Sequence, residues 1–549
     1  MYELINDIIK KSLRKITIIF SIIIALIIII GKYLPVLKIY YPILYLSAVI
    51  FSLEVIFLEY YKTKRSLDKS LLYYIAYLYS LSFSTSNIKR LLEIAIEEKA
   101  EFKDINYYMS KILFLTNKYN YTIPEAIRYV LPYIPNSNFK SFLERFATSI
   151  DIGEEVPEFL YKEYETQLAI YEANYEKGLE NIRLLDEFII SLLSSLGFAF
   201  SLILFIPFLI SANIILLLAD FFIIFIVINL LIYYVSKYYI PDDGLWSHTK
   251  EKPKEYITIR YLFYLLAFLS YILFLALFLV LKFQLLEAFA IAVTPLAYVS
   301  YRMILLERAL KIKENHFPAF FSSIIEYSEI FGSNQTKILD NVIIHDFGLL
   351  NEDINRLRKR INITKNYSES WRYFIVELGS SIAEKIIKVF EKVLSYNGDT
   401  KKAGDMLYNI LIKIIELRSR KSQFISNLRG IIYGTYIAFI AILFIISQIL
   451  YLLNQMFQGV STALGTAVSQ IGINIYTFSI PLYILQDYIF VISIIEAFIL
   501  AGTLKNIDGG SKLGMFLDAT VMIWLSALLN IGVYYLFTYV FSGLSLVKV

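Results

Sequence analysis

Five acidic side chains, Glu54, Asp220, Glu287, Glu496 and Asp518, fall within or near long apolar runs of this sequence. A carboxylate in a bilayer is costly and is usually there for a purpose. Asp220, in "LLLADFFIIF", sits deepest in its run, and the other four are near enough to span ends to reach the interface. As chemistry, Asp220 reads as a proton or ion site of a transporter, or more plainly as one end of a hydrogen bond to a neighbouring helix. Other chemistry is sparse. The chain has no cysteine and only three histidines, His248, His316 and His345, far apart in sequence. Thiolate metal sites, cysteine nucleophiles and disulfides are excluded, and a histidine-rich metal site is not expected. There is no Walker-type glycine-rich loop, no G-x-S-x-G elbow and no H-E-x-x-H. The expectation is a protein that is no enzyme and holds no cofactor.

Charge clusters are the second candidate. Segment 59–187 carries 16 Lys/Arg against 20 Asp/Glu, a net of about −4, and 302–429 carries 21 against 15, about +6. The densest basic run is "RLRKR", with Arg356, Arg358, Lys359 and Arg360, and a second cluster is Lys413, Arg418, Arg420 and Lys421. Such clusters suit a docking face for a large acidic partner, or a solvated or phospholipid-facing surface beside a membrane. Neither cluster has the aromatic interleaving or helix-turn-helix context of a nucleic-acid site, so no nucleic-acid partner is expected.

The elements that must position these residues are membrane helices. Of 549 residues, 57% are hydrophobic and 18% charged, with mean hydropathy +0.59. A soluble chain carries about 25% charge. Nine apolar runs reach the roughly 20 residues a span needs, near 16–36, 39–58, 188–210, 213–235, 260–281, 284–301, 430–453, 480–503 and 519–542. The fold class is therefore all-α, a polytopic membrane protein of about nine transmembrane helices. Five regions follow: a membrane hairpin (1–58), a polar domain (59–187), four membrane helices with a polar loop near 236–259 (188–301), a second polar domain (302–429) and three last helices (430–549). Lys10, Lys11, Arg14 and Lys15 precede the first span, which is read as uncleaved. They put the N-terminus, both polar domains and the 236–259 loop in the cytoplasm, and the C-terminus outside. The uncharged loop 454–479 falls outside as well.

The two polar segments repeat one another. "PEAIRYV" at 124–130 returns loosely as "SESWRYF" at 368–374, so Glu125 and Arg128 match Glu369 and Arg372. Further on, Phe146 matches Phe390, Gly153 and Glu154 match Gly398 and Asp399, and Leu160 and Tyr161 match Leu407 and Tyr408, so the offset stays within 244 to 247 residues. Each copy then runs through a helical stretch into a span. In the first, Tyr164, Leu168, Tyr171, Tyr175, Leu179, Ile182 and Leu185 step by three and four, an amphipathic stripe. Both polar segments read as small helical bundles.

The order Y-x-x-P-E-A-I-x-Y, then "FLERFATSIDIGEEVPEFL", then a Tyr/Glu-rich helix entering a span resembles the type II secretion system F domain. The layout resembles the archaeal version, two F domains related by duplication in one polytopic chain, as in archaellum and archaeal type IV pilus assembly platforms and tight-adherence proteins. "HFPAFFSSIIEYSEIFGS" at 316–333 and "LKNIDGGSKLG" at 504–514 add to it, while the first copy opens with "LLYYIAYLYSLSFST" and lacks the Phe-Pro start. The resemblance implies a membrane platform. A hexameric secretion ATPase would dock beneath, pilin-like subunits would be drawn from the lipid bilayer above, and the platform would be a homodimer. On that reading the two basic clusters are the ATPase-docking candidates, and Asp220 or Glu496 would meet the charged end of a pilin. A secondary transporter is the rival, but transporter repeats are built of membrane helices, whereas this repeat centres on polar segments.

Overall fold

The computed structural model describes residues 67–541 except 69, 84, 86, 97–101, 136, 210–213, 239–243, 248, 250, 397 and 465–481. The first two predicted spans, the basic residues before them, Glu54, His248 and most of the loop 454–479 lie outside the described residues. Within them the chain is helical, with one isolated antiparallel bridge between Trp246 and Ser380.

Residues 70–82 form α1. Then come α2 (Ile88–Ala95), α3 (Lys103–Tyr119), α4 (Ile123–Val130), α5 (Asn138–Ile152) and the 54-residue α6 (Val156–Leu209). Next are α7 (Ile214–Tyr238), α8 (Lys254–Leu275, prolonged by a π turn over Ala276–Val280) and the 47-residue α9 (Leu285–Phe331). The second polar segment adds α10 (Gln335–Val342), α11 (Asn351–Thr364), α12 (Tyr367–Leu378) and α13 (Ser381–Ser395). The 65-residue α14 (Thr400–Leu464), α15 (Leu482–Asp508) and α16 (Met515–Phe541) follow. Among the described residues seven helices are long and apolar enough to cross a membrane: Val156–Ile206, Ile214–Lys237, Lys254–Val280, Leu285–Phe331, Thr400–Met456, Leu485–Asp508 and Lys512–Val540. They overlap the seven predicted spans that can be compared. The protein is a multi-pass, all-helical membrane protein. One boundary differs: α14 continues to Leu464, past the predicted end at 453, because "YLLNQMFQGV" keeps helix-compatible residues and no proline or charge interrupts it.

The described residues divide into two units. One takes residues up to Ala173 with Phe321–Ile344 and Lys385–Ile410; the other takes Asn174–Phe320, His345–Glu384 and the chain from Leu411 on. The polar segment 302–429 is thus shared between them. In the first unit α5 buries Phe139, Phe142, Leu143 and Phe146, spaced as one helical face. Phe146 lies 5.6 Å from Phe159 at the start of α6. Each such ring contributes about 1.5–3 kcal/mol through burial. Gly153, at φ +75, ends α5 in the left-handed conformation a glycine allows. Arg145 grips the buried Glu163 of α6 with two bonds of 2.6 and 2.8 Å.

In the second unit the helix directions can be read from contacts. Tyr488 donates to the Leu218 carbonyl, Gly502 lies against Tyr233, and Asn506 donates to Ser236. Position rises together along α7 and α15, so they are parallel. Ser300 and Thr294 of α9, and Gln284 just before it, meet Leu517, Trp524 and Asn530 of α16 in reverse order, so these are antiparallel. Both directions are those that an alternating in-and-out path requires.

Candidate functional site

The densest polar chemistry of the second unit gathers on α9 just past its apolar part. Glu307 is 4% exposed. One of its oxygens accepts from the Ser511 N–H at 2.6 Å and the Trp246 indole at 3.3 Å; the other accepts from Lys505 Nζ at 2.7 Å. Lys505 also donates to Asp508 at 3.2 Å, and Asp508 pairs with Lys311 at 3.4 Å. A side chain at Gly510, φ +84, would place its Cβ 2.5 Å from Glu307, so only glycine fits this turn. The "DGG" of 508–510 therefore wraps a carboxylate.

Two helical turns further on, Glu314 repeats the arrangement from the same face. It takes Arg418 of α14 at 3.1 Å to both oxygens and the Ser380 hydroxyl. Arg418 also donates to the Gly244 carbonyl at 2.9 Å. The chain near 245 is then stitched to the α12–α13 turn: Ser247 N–H bonds the Gly379 carbonyl at 2.7 Å and Ser381 N–H the Leu245 carbonyl at 3.1 Å. Gly379, φ +74, lies with Trp246 3.3 Å from where its Cβ would be. Residues 244–253, 307–314, 379–381 and 505–514 thus share one end of the helices in this unit. The predicted path puts all four on one side of the membrane. Buried pairs of this kind hold elements in register, and removing one partner costs about 3–5 kcal/mol. Among the described residues no group of His, Asp and Glu is placed to hold a metal ion.

The residues singled out from sequence fall in several places. Glu125 caps α4: Thr122 N–H bonds its carboxylate at 2.9 Å while Thr122 Oγ1 accepts from Glu125 N–H. That bond holds the Glu125 carboxyl below the usual carboxylate range. Glu369 stands at the same place in α12, where its N–H bonds Asn366 Oδ1 at 3.2 Å. The matched arginines differ. Arg128 pairs with Asp151, whereas Arg372 pairs with Glu251 at 3.5 Å and lies over the Tyr373 ring. Glu154 pairs with Lys162 at 3.1 Å, and Asp399 accepts from the Lys402 N–H at the start of α14. The bond that closes each preceding helix over five residues is made by the N–H of Glu154 in the first segment and of Gly398 in the second. The structural register there is 244, one residue from the pairing of Gly153 with Gly398.

Most of the basic residues are engaged in ion pairs within the fold. Arg356 and Lys313 flank the fully buried Asp353, and Arg360 pairs with Glu377. Lys359 is exposed and Arg358 half-buried. In the second cluster Arg418 is built into the junction, Lys413 pairs with Glu416, Arg420 bonds Glu176 and Glu416, and Lys421 is buried. The acidic residues change rank. Asp220 is only half-buried, two turns into α7, while Glu496 is wholly buried midway along α15 with no donor to either oxygen among the described residues. The physical reason is that α15 runs on to Asp508, past its apolar stretch, which moves Glu496 from near an end to the middle. Asp518 is buried against Tyr433 at 2.8 Å, and Glu287 begins α9.

Sequence reasoning missed Trp246, Glu307, Glu314, Gly379 and Ser380. The signals were there: two glutamates seven apart on a helix leaving a span, and one of three tryptophans set in a polar loop.

Among the described residues, seven helices apolar enough to cross a membrane and a web of ion pairs at one end of them define a multi-pass membrane protein. The chain is 30% identical over 478 residues to flagella accessory protein J of Methanocaldococcus jannaschii, covering 85% of this chain and 84% of that one. It is 27% identical over 489 residues to flagella accessory protein J of Methanococcus voltae, covering 86% of each. The chain belongs to the flagella accessory protein J family. No family model matches it. No solved structure matches it.

Proposed function

We propose that this protein is the membrane platform on which an archaellum, or a related archaeal type IV pilus-like filament, is assembled. The relatives' names supply the filament. The observation that carries the mechanism is that α6 and α14 each run as one helix from charged sequence into apolar sequence. On this reading 59–187 and 302–429 are two cytoplasmic F domains related by duplication, which the matching caps at Thr122 and Asn366 support. A cytoplasmic hexameric secretion ATPase acts on them, and α6 and α14 pass its motion to pilin-like subunits in the bilayer. The platform itself catalyses nothing. Work is transmitted only if the ATPase binds two platform states with different affinity. The N-terminus and both polar segments face the cytoplasm, and the C-terminus faces outward.

Docking on the basic run falls to the exposed Lys359, since Arg356 and Arg360 are engaged in ion pairs within the fold. Lys359→Glu is expected to weaken co-purification with the ATPase while the protein stays folded. Unchanged co-purification removes that docking face. Deleting the gene is expected to abolish filaments, and protease sites placed in either polar segment should be cut only from the cytoplasmic side. Cleavage from outside would end the proposal, because no cytosolic motor could reach the segment.

A further inference from the structure

Glu496 stands midway along α15 and is 0% exposed, and among the described residues neither of its carboxyl oxygens has a hydrogen-bond donor. Its side-chain neighbour on α7 is Asn229, which is 0% exposed as well. The two helices run parallel at a sequence separation of 270 residues, fixed by Tyr488 with Leu218 and by Asn506 with Ser236. That separation sets Asn229 level with residue 499, within one turn of Glu496. Asn229 Nδ2 donates to the Phe225 carbonyl at 3.1 Å, and its Oδ1 is left without a donor. Two oxygens of Glu496 and one of Asn229 are thus buried acceptors with nothing to accept, in helices apolar enough to cross a membrane.

The donors of the surrounding helices are used elsewhere. On α14 the Tyr436 hydroxyl bonds the Ser493 carbonyl at 3.1 Å and the Ser526 hydroxyl of α16. Asp518 of α16 faces Tyr433 and Arg429, and Lys505 of α15 faces Glu307 and Asp508. Asp220 lies nine residues before Asn229 on α7, and Glu287 begins α9; neither donates as a carboxylate. The contacts of α6 and α9 with α15 include the Phe200 and Phe289 rings. An ionised carboxylate without donors is among the costliest groups to keep in such a place.

A single proton supplies what is missing. On Glu496 it makes an O–H donor for Asn229 Oδ1, and the second N–H of Asn229 Nδ2 returns to the other Glu496 oxygen. Acid and amide then form a cyclic pair of two bonds, each of the three oxygens has a donor, and no charge is left in the bilayer. The ionised form leaves Asn229 Oδ1 without a donor and sets it against a carboxylate. We propose that Glu496 and Asn229 form an intramembrane proton-binding site, and that the bound proton is what lets α7 and α15 close on each other. Release of the proton puts a charge between the two helices, so it requires that they part or admit water. The site does not depend on whether the protein builds a filament.

Infrared spectra of the full-length protein in lipid vesicles test this. At neutral pH, the difference between wild type and Glu496→Gln is expected to be the loss of one protonated-carboxyl band, which moves down in heavy water. Asn229→Leu removes the acceptor and is expected to shift the band up, and added sodium or potassium chloride is expected to leave it unmoved. Amide exchange along α7 and α15, corrected for its intrinsic pH dependence, is expected to rise severalfold at alkaline pH in wild type and to stay flat in Glu496→Gln. Four results would overturn the proposal: loss of carboxylate bands in place of the acid band, an acid band indifferent to Asn229→Leu, its conversion to carboxylate by either salt, which makes the site one for an alkali ion, or equal exchange in the two proteins. If either variant fails to fold, unmutated protein carrying isotope-labelled glutamate gives the reading: an isotope-shifted acid band at neutral pH is expected, and its absence overturns the site.

Discussion

The first and second polar segments share one plan and finish it differently. In both, a helix ends on a left-handed residue, Asn120 or Lys365. A capping residue follows, and a glutamate three places on answers it. In both, an early carboxylate touches the start of a later helix: Asp68 accepts from the Asn138 N–H at 2.9 Å, and Glu314 from the Ser380 hydroxyl. In the second that carboxylate also holds the half-buried Arg418 and, through it, the connection near Gly244. Helix-end donors must be satisfied wherever the helix sits, so the caps persist. What an arginine pairs with is set by neighbours, and there the two segments part. The first is a bundle with exposed tyrosines such as Tyr121, Tyr129 and Tyr133, while the second is tied into a junction.

The sharpest way to break this contrast is to remove the two carboxylates. Glu314→Ala leaves Arg418 without its buried partner and is expected to cost about 3–5 kcal/mol. Asp68→Ala removes the bond from the Asn138 N–H, a neutral-donor bond worth about 1 kcal/mol. Thermal unfolding in detergent compares them, and equal losses would erase the distinction. Next come the glycines. Gly153→Ala and Gly379→Ala each force a left-handed alanine, at about 1–2 kcal/mol. Gly379 should lose more, because Trp246 and Pro253 crowd its Cβ while Gly153 faces open space. A smaller difference is expected on the surface. Arg360→Ala and Arg128→Ala should each stay below about 1 kcal/mol, with Arg360 the larger because it also lies over Tyr373. The smallest effect is a pH step. The Glu125 carboxyl is held low by the Thr122 N–H, so its cap is intact at neutral pH. That contribution is lost as pH falls through the lowered value. Amide exchange at the start of α4 should quicken across that acid limb, and Glu125→Gln should flatten the step.

Much of this could be read from the chain. Spans declare themselves through local hydropathy, and "TIPE" at 122–125 is a cap before a helix starts. The junction could not be read, because Glu307, Trp246 and Lys505 are brought together across long sequence separations and nothing local to any of them names the others. Hydropathy also finds the ends of a span better than its faces. It put Asp220 deepest, while the structure buries Glu496. The ion pairs of the basic run were half legible: Asp353 stands three residues before Arg356 on the same helix, whereas Glu377 comes from α12.

The turn at Gly510 has a consequence for how the sequence can drift. A Cβ there would stand 2.5 Å from Glu307, so a single codon change at the turn would unseat a carboxylate encoded far upstream. Mutational tolerance at this spot is set by a residue that no local window of the gene contains.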